Sequence, residues 1–193
     1  MNKVSGNWAN RFFGYESDGL FTSQEEIDNY PLDQDLQGNA TLQPGDIKYV
    51  DQNGDNVLDW RDKVLIGRGA DPEFMFGLNL NVQYKGFDLS ALFQGAAHRD
   101  LHIYAGMQDM SNTNNTVYDN RWTEENNDKW AIVPRQYIGG KENNKHTSDY
   151  WLVNASYLRL KTLSLGYNFP KEWLSKVSID QVRIYLAATN LFT

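Results

Sequence analysis

The chain has 193 residues, with 18 Lys and Arg against 25 Asp and Glu for a formal net charge of −7, no cysteine and 13% aromatic residues. The acidic balance argues against a nucleic-acid binder, which needs a basic face for phosphates, and a chain without cysteine forms no disulfide and no thiolate zinc site. No run reaches the roughly 18 apolar residues of a membrane helix, but a barrel strand needs only about 10 residues and leaves every second one polar.

Residues 1–75 are rich in Asp, Asn, Gln and Gly and read as a loop region. The opening MNKVSGNWANRFFGYESDG has no apolar leader core, so an export reading expects a leader upstream. One short helix is predicted, capped by Ser23, with Glu26 reaching back and Ile27 as its apolar anchor; Pro31 ends it. From Asp18 to Asp62 there are 11 acids against Lys48 and Arg61.

Within this stretch Asp51, Asn53, Asp55, Asp59 and Asp62 fall at positions 1, 3, 5, 9 and 12 of a 12-residue loop. Val57 at position 7 offers its carbonyl. That is the oxygen spacing of an EF-hand-type Ca²⁺ loop. It departs from the pattern in having Asn56 where Gly makes the sharp turn and Asp62 where Glu is usual. Asn tolerates the left-handed conformation. A structural Ca²⁺ is expected; the plain alternative is an ion-free loop of Asx turns.

Strands are predicted at 76–84, 87–96, 157–169 and 181–192. Phe76, Leu78, Leu80, Val82 and Tyr84 alternate with Gly77, Asn79, Asn81 and Gln83, and Lys85-Gly86 makes a tight turn into Phe87. In the third strand Leu158 and Leu160 have the opposite parity to Leu163 and Leu165. Either a bulge near Lys161 reconciles them or a plain register drops the first half. Residues 171–180 make a short connection with a helical turn around Trp173 and Leu174. The 97–155 segment is too long for an ordinary connection but fits the outer side of a membrane barrel, which has short turns on its other side. Its aromatics, Tyr104, Tyr118, Trp122, Trp130, Tyr137, Tyr150 and Trp151, can stack on sugars or pack the loop on itself. His98 and His102 read as loop polar residues. Asn114-Asn-Thr116 and Asn154-Ala-Ser156 are formal glycosylation sequons. No nucleophile–base set or phosphate loop is present, so no enzyme is expected.

Gly14-Tyr-Glu-Ser-Asp-Gly-Leu-Phe-Thr-Ser-Gln-Glu-Glu-Ile27, Pro44-Gly-Asp-Ile-Lys-Tyr49 and the Asp51–Asp62 loop together resemble the C-terminal half of SusC/RagA-type TonB-linked outer-membrane proteins. Tyr84-Lys-Gly-Phe-Asp-Leu-Ser90, Phe93-Gln-Gly95, Ala155-Ser-Tyr-Leu-Arg-Leu-Lys161, Leu165-Gly-Tyr167 and Asn190-Leu-Phe-Thr193 follow in the same order. The resemblance covers nearly the whole chain apart from much of 97–150. It implies an all-β fold: antiparallel strands of a transmembrane β-barrel, about four of 22, with long extracellular loops. It also implies a Bacteroidetes-type outer membrane and import of glycans or peptides with a SusD-like surface lipoprotein. TonB would drive import through an N-terminal region outside this chain. The competing expectation is a stand-alone calcium-binding β-rich surface module that binds glycans. The two differ in whether the second strand face is wet or packed.

Overall fold

A computed structural model describes residues 6, 10–103, 115–139, 141–175 and 179–193. Tyr104 and Asn114 lie outside them. The strands are β1 (Phe12–Gly14), β2 (Ser17–Leu20), β3 (Ile47–Tyr49), β4 (Val64–Gly67), β5 (Phe74–Tyr84), β6 (Phe87–Ala97), β7 (Asp100–His102), β8 (Leu152–Asn154), β9 (Tyr157–Asn168) and β10 (Arg183–Phe192). Three short helices, α1 (Gln24–Asp28), α2 (Asn115–Asp119) and α3 (Lys171–Leu174), sit in the connections. None is long and apolar enough to cross a membrane, which says nothing of strands.

The chain forms two compact units, residues 1–70 with 100–153, and residues 71–99 with 154–193. This differs from a division at residue 75. The two segments that read as separate loops fold together, because each supplies part of one core.

In the first unit, β1 pairs with β4, β2 with β3 and β7 with β8. Among the described residues no strand here exceeds four residues, so side chains hold the unit more than ladders do. Tyr15, Leu20, Leu32, Ile47, Tyr49 and Leu58 from the first segment pack with Trp122, Ala131 and Trp151 from the second. The free edge of β3 is satisfied by side-chain amides. Gln34 accepts from the Tyr49 N–H (2.7 Å), and Asn144 Oδ1 accepts from the Ile47 N–H (2.9 Å). Gln34 and Asn143 both donate to the Ile47 carbonyl, at 3.0 and 2.9 Å. A buried strand edge requires such partners. Ser23 caps α1 by accepting from the Glu26 N–H (3.1 Å), but the Glu26 carboxylate reaches Thr22 (2.9 Å) rather than the Ser23 backbone.

The second unit is one antiparallel sheet in the order β10-β9-β6-β5. Lys85 (φ 47°) and Gly86 (φ 89°) form the two-residue turn between β5 and β6, whose left-handed backbone matches strand twist. Between β6 and β9 the register steps from Leu92↔Thr162 to Phe93↔Leu160, so Lys161 is an inserted residue. Between β9 and β10 the pairing steps from Thr162↔Thr189 to Leu160↔Phe192. The bulge of the two sequence alternatives is the one observed: β9 carries one residue more than β6 there, and β10 one more than β9, while β5 and β6 pair without a break.

Candidate functional site

The sheet has two chemically distinct faces. Register places Leu78, Phe93 and Leu160 in one row with Phe192, Leu80 with Ala91, Leu163 and Ala188, and Val82 with Leu89, Leu165 and Leu186. The row at the turn is Tyr84, Phe87, Tyr167 and Ile184. The Lys161 bulge corrects the parity of β9, so Leu158 and Leu160 join this apolar face instead of leaving it. Most of these side chains are exposed, Leu78 by 53% and Leu186 by 76%, while Ala91 and Leu160 are buried among their neighbours. A contiguous apolar surface of this extent has no place in water.

At one end of that face, Phe87 packs on Tyr167 (4.6 Å between ring centroids), Tyr167 on Phe169 (5.1 Å) and Phe169 on Trp173 (6.5 Å). A cluster of amphipathic rings bounding an apolar band is the composition of a membrane–water interface.

The opposite face carries Asn79, Asn81 and Gln83 from β5, Ser90 from β6, and Ser164 and Thr162 from β9, with Thr189 from β10. Its charged centre is Asp88, which accepts from Arg183 Nε (3.0 Å) and Nη2 (2.5 Å) and from Asn168 Nδ2 (3.1 Å). Asp88 on β6 and Arg183 on β10 reach each other across β9. They can do so because Gly166 lies between them: a Cβ there would stand 2.6 Å from an Asp88 oxygen and 2.7 Å from Arg183 Nη2.

All long connections leave one end of the sheet. β5 begins at Phe74, β6 ends at Ala97 and β9 begins at Tyr157, with Phe74 paired to Ala97 and Ala96 to Tyr157. The other end has the Lys85-Gly86 turn and the short α3 connection.

The acidic loop is built as an Asx-rich turn closed by Arg61. Asp51 accepts backbone N–H groups from Asn53 (3.1 Å), Gly54 (2.6 Å) and Asn56 (2.8 Å). Desolvation pushes the Asp51 carboxyl upward, but these N–H groups outweigh it and hold it below the usual carboxylate range. Asn53 accepts from the Asp55 N–H (2.8 Å), and Asp55 from the Val57 N–H (3.1 Å). Asn56 is left-handed (φ 61°), the conformation its position demands. The Arg61 guanidinium pairs with both Asp55 (2.6 Å) and Asp59 (2.8 Å) and holds the Asp59 carboxyl low. Asp62 is buried and accepts from the Gln52 (3.1 Å) and Asp59 (2.9 Å) N–H groups.

So the loop brings the predicted ligands into one turn, but Arg61 and backbone N–H groups take their oxygens. Among the described residues, no three acidic or histidine side chains converge to hold a metal ion. The carboxylate and amide oxygens gathered here are of the donor type a hard cation takes. Elsewhere the acids find cations: Lys48 pairs with Asp18 (2.6 Å) and Glu26 (2.9 Å), and Lys129 with Asp18 (2.8 Å).

Of the remaining candidates, Trp122 and Trp151 are core and Tyr150 packs against it. Tyr137 donates to buried Asp46 (2.9 Å). Tyr118 and Trp130 are exposed. His98 lies 3.1 Å from Glu73, and His102 packs near Phe12. The buried Gln34, Asp46, Asn143 and Asn144 had no sequence signal, since each stands in a polar stretch that reads as solvated loop.

No family model matches the chain. It is 32% identical over 97% of its length to TonB-dependent receptor P3 of Formosa agariphila, and 27% identical over 75% to TonB-dependent receptor SusC of Bacteroides thetaiotaomicron. It spans 18% and 14% of those relatives. Among solved structures it is similar over its whole length to part of the RagAB peptide importer in the open-open state, with a TM-score of 0.62 at 22% identity and 20% of that chain covered. A further RagAB peptide transporter structure gives 0.61 over 96% of this chain and 19% of that one. The two-faced antiparallel sheet and these similarities agree: over nearly its whole length the chain is similar to a segment of TonB-dependent receptors, SusC among them.

Proposed function

We propose that this chain supplies four adjacent strands of the wall of a roughly 22-stranded outer-membrane barrel that imports oligosaccharides or peptides. In this reading a SusD-like surface lipoprotein closes the barrel from outside and TonB supplies the energy. The apolar face meets lipid, and the Asn, Gln, Ser and Asp88–Arg183 face lines a wet lumen. The observation that carries this is the four-strand register with its Lys161 bulge, which gathers apolar side chains on one face and amides and hydroxyls on the other. Four strands alone leave two open edges, which hydrocarbon does not tolerate, so the sheet needs neighbouring strands. The long connections at one end support placing residues 6–70 and 100–153 on the cell exterior.

The test grafts this chain in place of its counterpart in the relative TonB-dependent receptor P3. Because the chain has no cysteine, single cysteines can be added at Leu80 and Leu165, or at Asn81 and Ser164, and labelled with a fluorophore. A lipid-phase quencher should reach the first pair and a water-soluble quencher the second. Equal quenching of both pairs would sink the barrel-wall reading and favour a surface module.

We also propose that Ca²⁺ fills the Asp51–Asp62 loop as a structural ion, displacing Arg61 from Asp55 and Asp59. The oxygen spacing and the left-handed Asn56 support this. Absence of a calorimetric signal and of a thermal shift at about millimolar Ca²⁺, the weak end of such sites, would reject it.

A further inference from the structure

The first unit contains a cavity of about 510 Å³ that the barrel-wall reading does not use. Trp130 and Ile132 border it while 64% and 57% exposed, and Ile103 and Val153 add aliphatic wall. A tryptophan that open is unusual, because its ring is among the costliest surfaces to leave in water. Asp149 is the one charged side chain in the lining. The Ser17 N–H (2.8 Å) and hydroxyl (2.6 Å) both bond its Oδ1, which fixes the carboxylate. Its Oδ2 makes no hydrogen bond among the described residues. One wall is rigid as well, since the Tyr150 hydroxyl donates to the Ala131 carbonyl (2.5 Å).

We propose that this cavity binds a primary ammonium carried next to an apolar side chain, the chemistry of a peptide's amino end. The ammonium meets Asp149 Oδ2 and the side chain enters between Trp130 and the aliphatic residues. Charge complementarity selects the occupant: an aliphatic pocket with one prealigned carboxylate matches one cation and one apolar group. A sugar ring stacked on the exposed Trp130 is the competing occupant, and maltose tests it. The proposal rests on the importer reading for its biological sense, giving the outer unit a first contact with peptide cargo.

Binding is measured by calorimetry on receptor P3 carrying this chain as the graft, folded in detergent micelles, with leucyl-glycinamide, its N-acetylated form and maltose as probes. The free amine should bind, and acetylation should weaken binding at least tenfold. Asp149→Asn should do the same, because it retains an oxygen for Ser17 while replacing Oδ2 by an amide. Trp130→Ala, at an exposed position, should also lose tenfold or more. Equal binding of the acetylated probe overturns the proposal. So does Trp130-dependent binding of maltose, or no binding of the free amine to a chain with native near-ultraviolet dichroism. If Asp149→Asn disturbs the fold, full affinity in Trp130→Ala is the refuting result. None of these outcomes touches the lipid-quenching test, so the two readings fail separately.

Discussion

Replacing Leu80 by Arg tests the lipid-facing assignment most directly. Leu80 lies four residues from Phe76 and four from Tyr84 on the same face of β5. At about 3.4 Å per residue, that is roughly 14 Å of strand on either side, which puts Leu80 near the middle of the apolar band. An Arg at the bilayer midplane of a barrel costs about 2–4 kcal/mol, falling to about 0–1 near the interfaces. Leu80→Arg should therefore shift the folding equilibrium of the grafted receptor roughly 30- to 700-fold, at about 1.4 kcal/mol per factor of ten. Tyr84→Arg should cost about 1 kcal/mol or less. Asn81→Arg, on the polar face of the sheet, should stay within about 0.5 kcal/mol. Urea titration in phospholipid vesicles, read by the heat-modifiable gel shift of folded barrels, measures all three. A soluble core would also reject Arg at position 80, so the depth gradient is decisive. Equal costs at positions 80 and 84, or a larger cost at Asn81, would refute the reasoning.

Gly86→Ala should destabilise the β5–β6 hairpin by roughly 1–2 kcal/mol, since φ is 89° and a Cβ would stand 2.8 Å from the Asn168 carbonyl; the urea midpoint reports it. Ser23→Ala removes the α1 cap and should cost about 1 kcal/mol, seen as faster amide exchange at Glu26. Burial, and then the nearby Lys63 cation, depress the His146 pKa, while Glu142 opposes them. The unfolded chain then binds the proton more readily, so this contribution is complete above about pH 6.5 and is lost as pH falls below it. His146→Gln should flatten the fall in the urea midpoint below pH 6.5; burial lowers His102 as well, so part of the slope will remain.

The sheet was legible because its signal is local. Alternation in β5 and β6 and the parity break at Lys161 are read within a dozen residues, and β5 merely begins two residues earlier, at Phe74. The α1 cap was legible for the same reason. The first unit was not. Its core joins Tyr49 to Trp151 and its strands are too short to show a period, so burial there depends on partners about a hundred positions away. Asp46 shows the limit: it is fully buried, held by Gln43, Tyr137 and Asn144, with burial raising its pKa. In sequence it is one more acid in an acidic stretch. The Asp51–Asp62 spacing was visible, whereas the claim of Arg61 on Asp55 and Asp59 follows from a loop geometry that spacing does not encode.

The shared core of the first unit also orders events in time. Gln34 bonds Asn143 across 109 residues, and the β5–β6 hairpin lies between them. The hairpin needs only a two-residue closure and can zip within microseconds. Residues 10–70 must instead wait for a segment made after it, and such distant contacts form slowly. Leu20, Ile47 and Tyr49 therefore stay uncovered in the growing chain after the hairpin has been made, which makes this half of the chain the one open to misassociation while it folds.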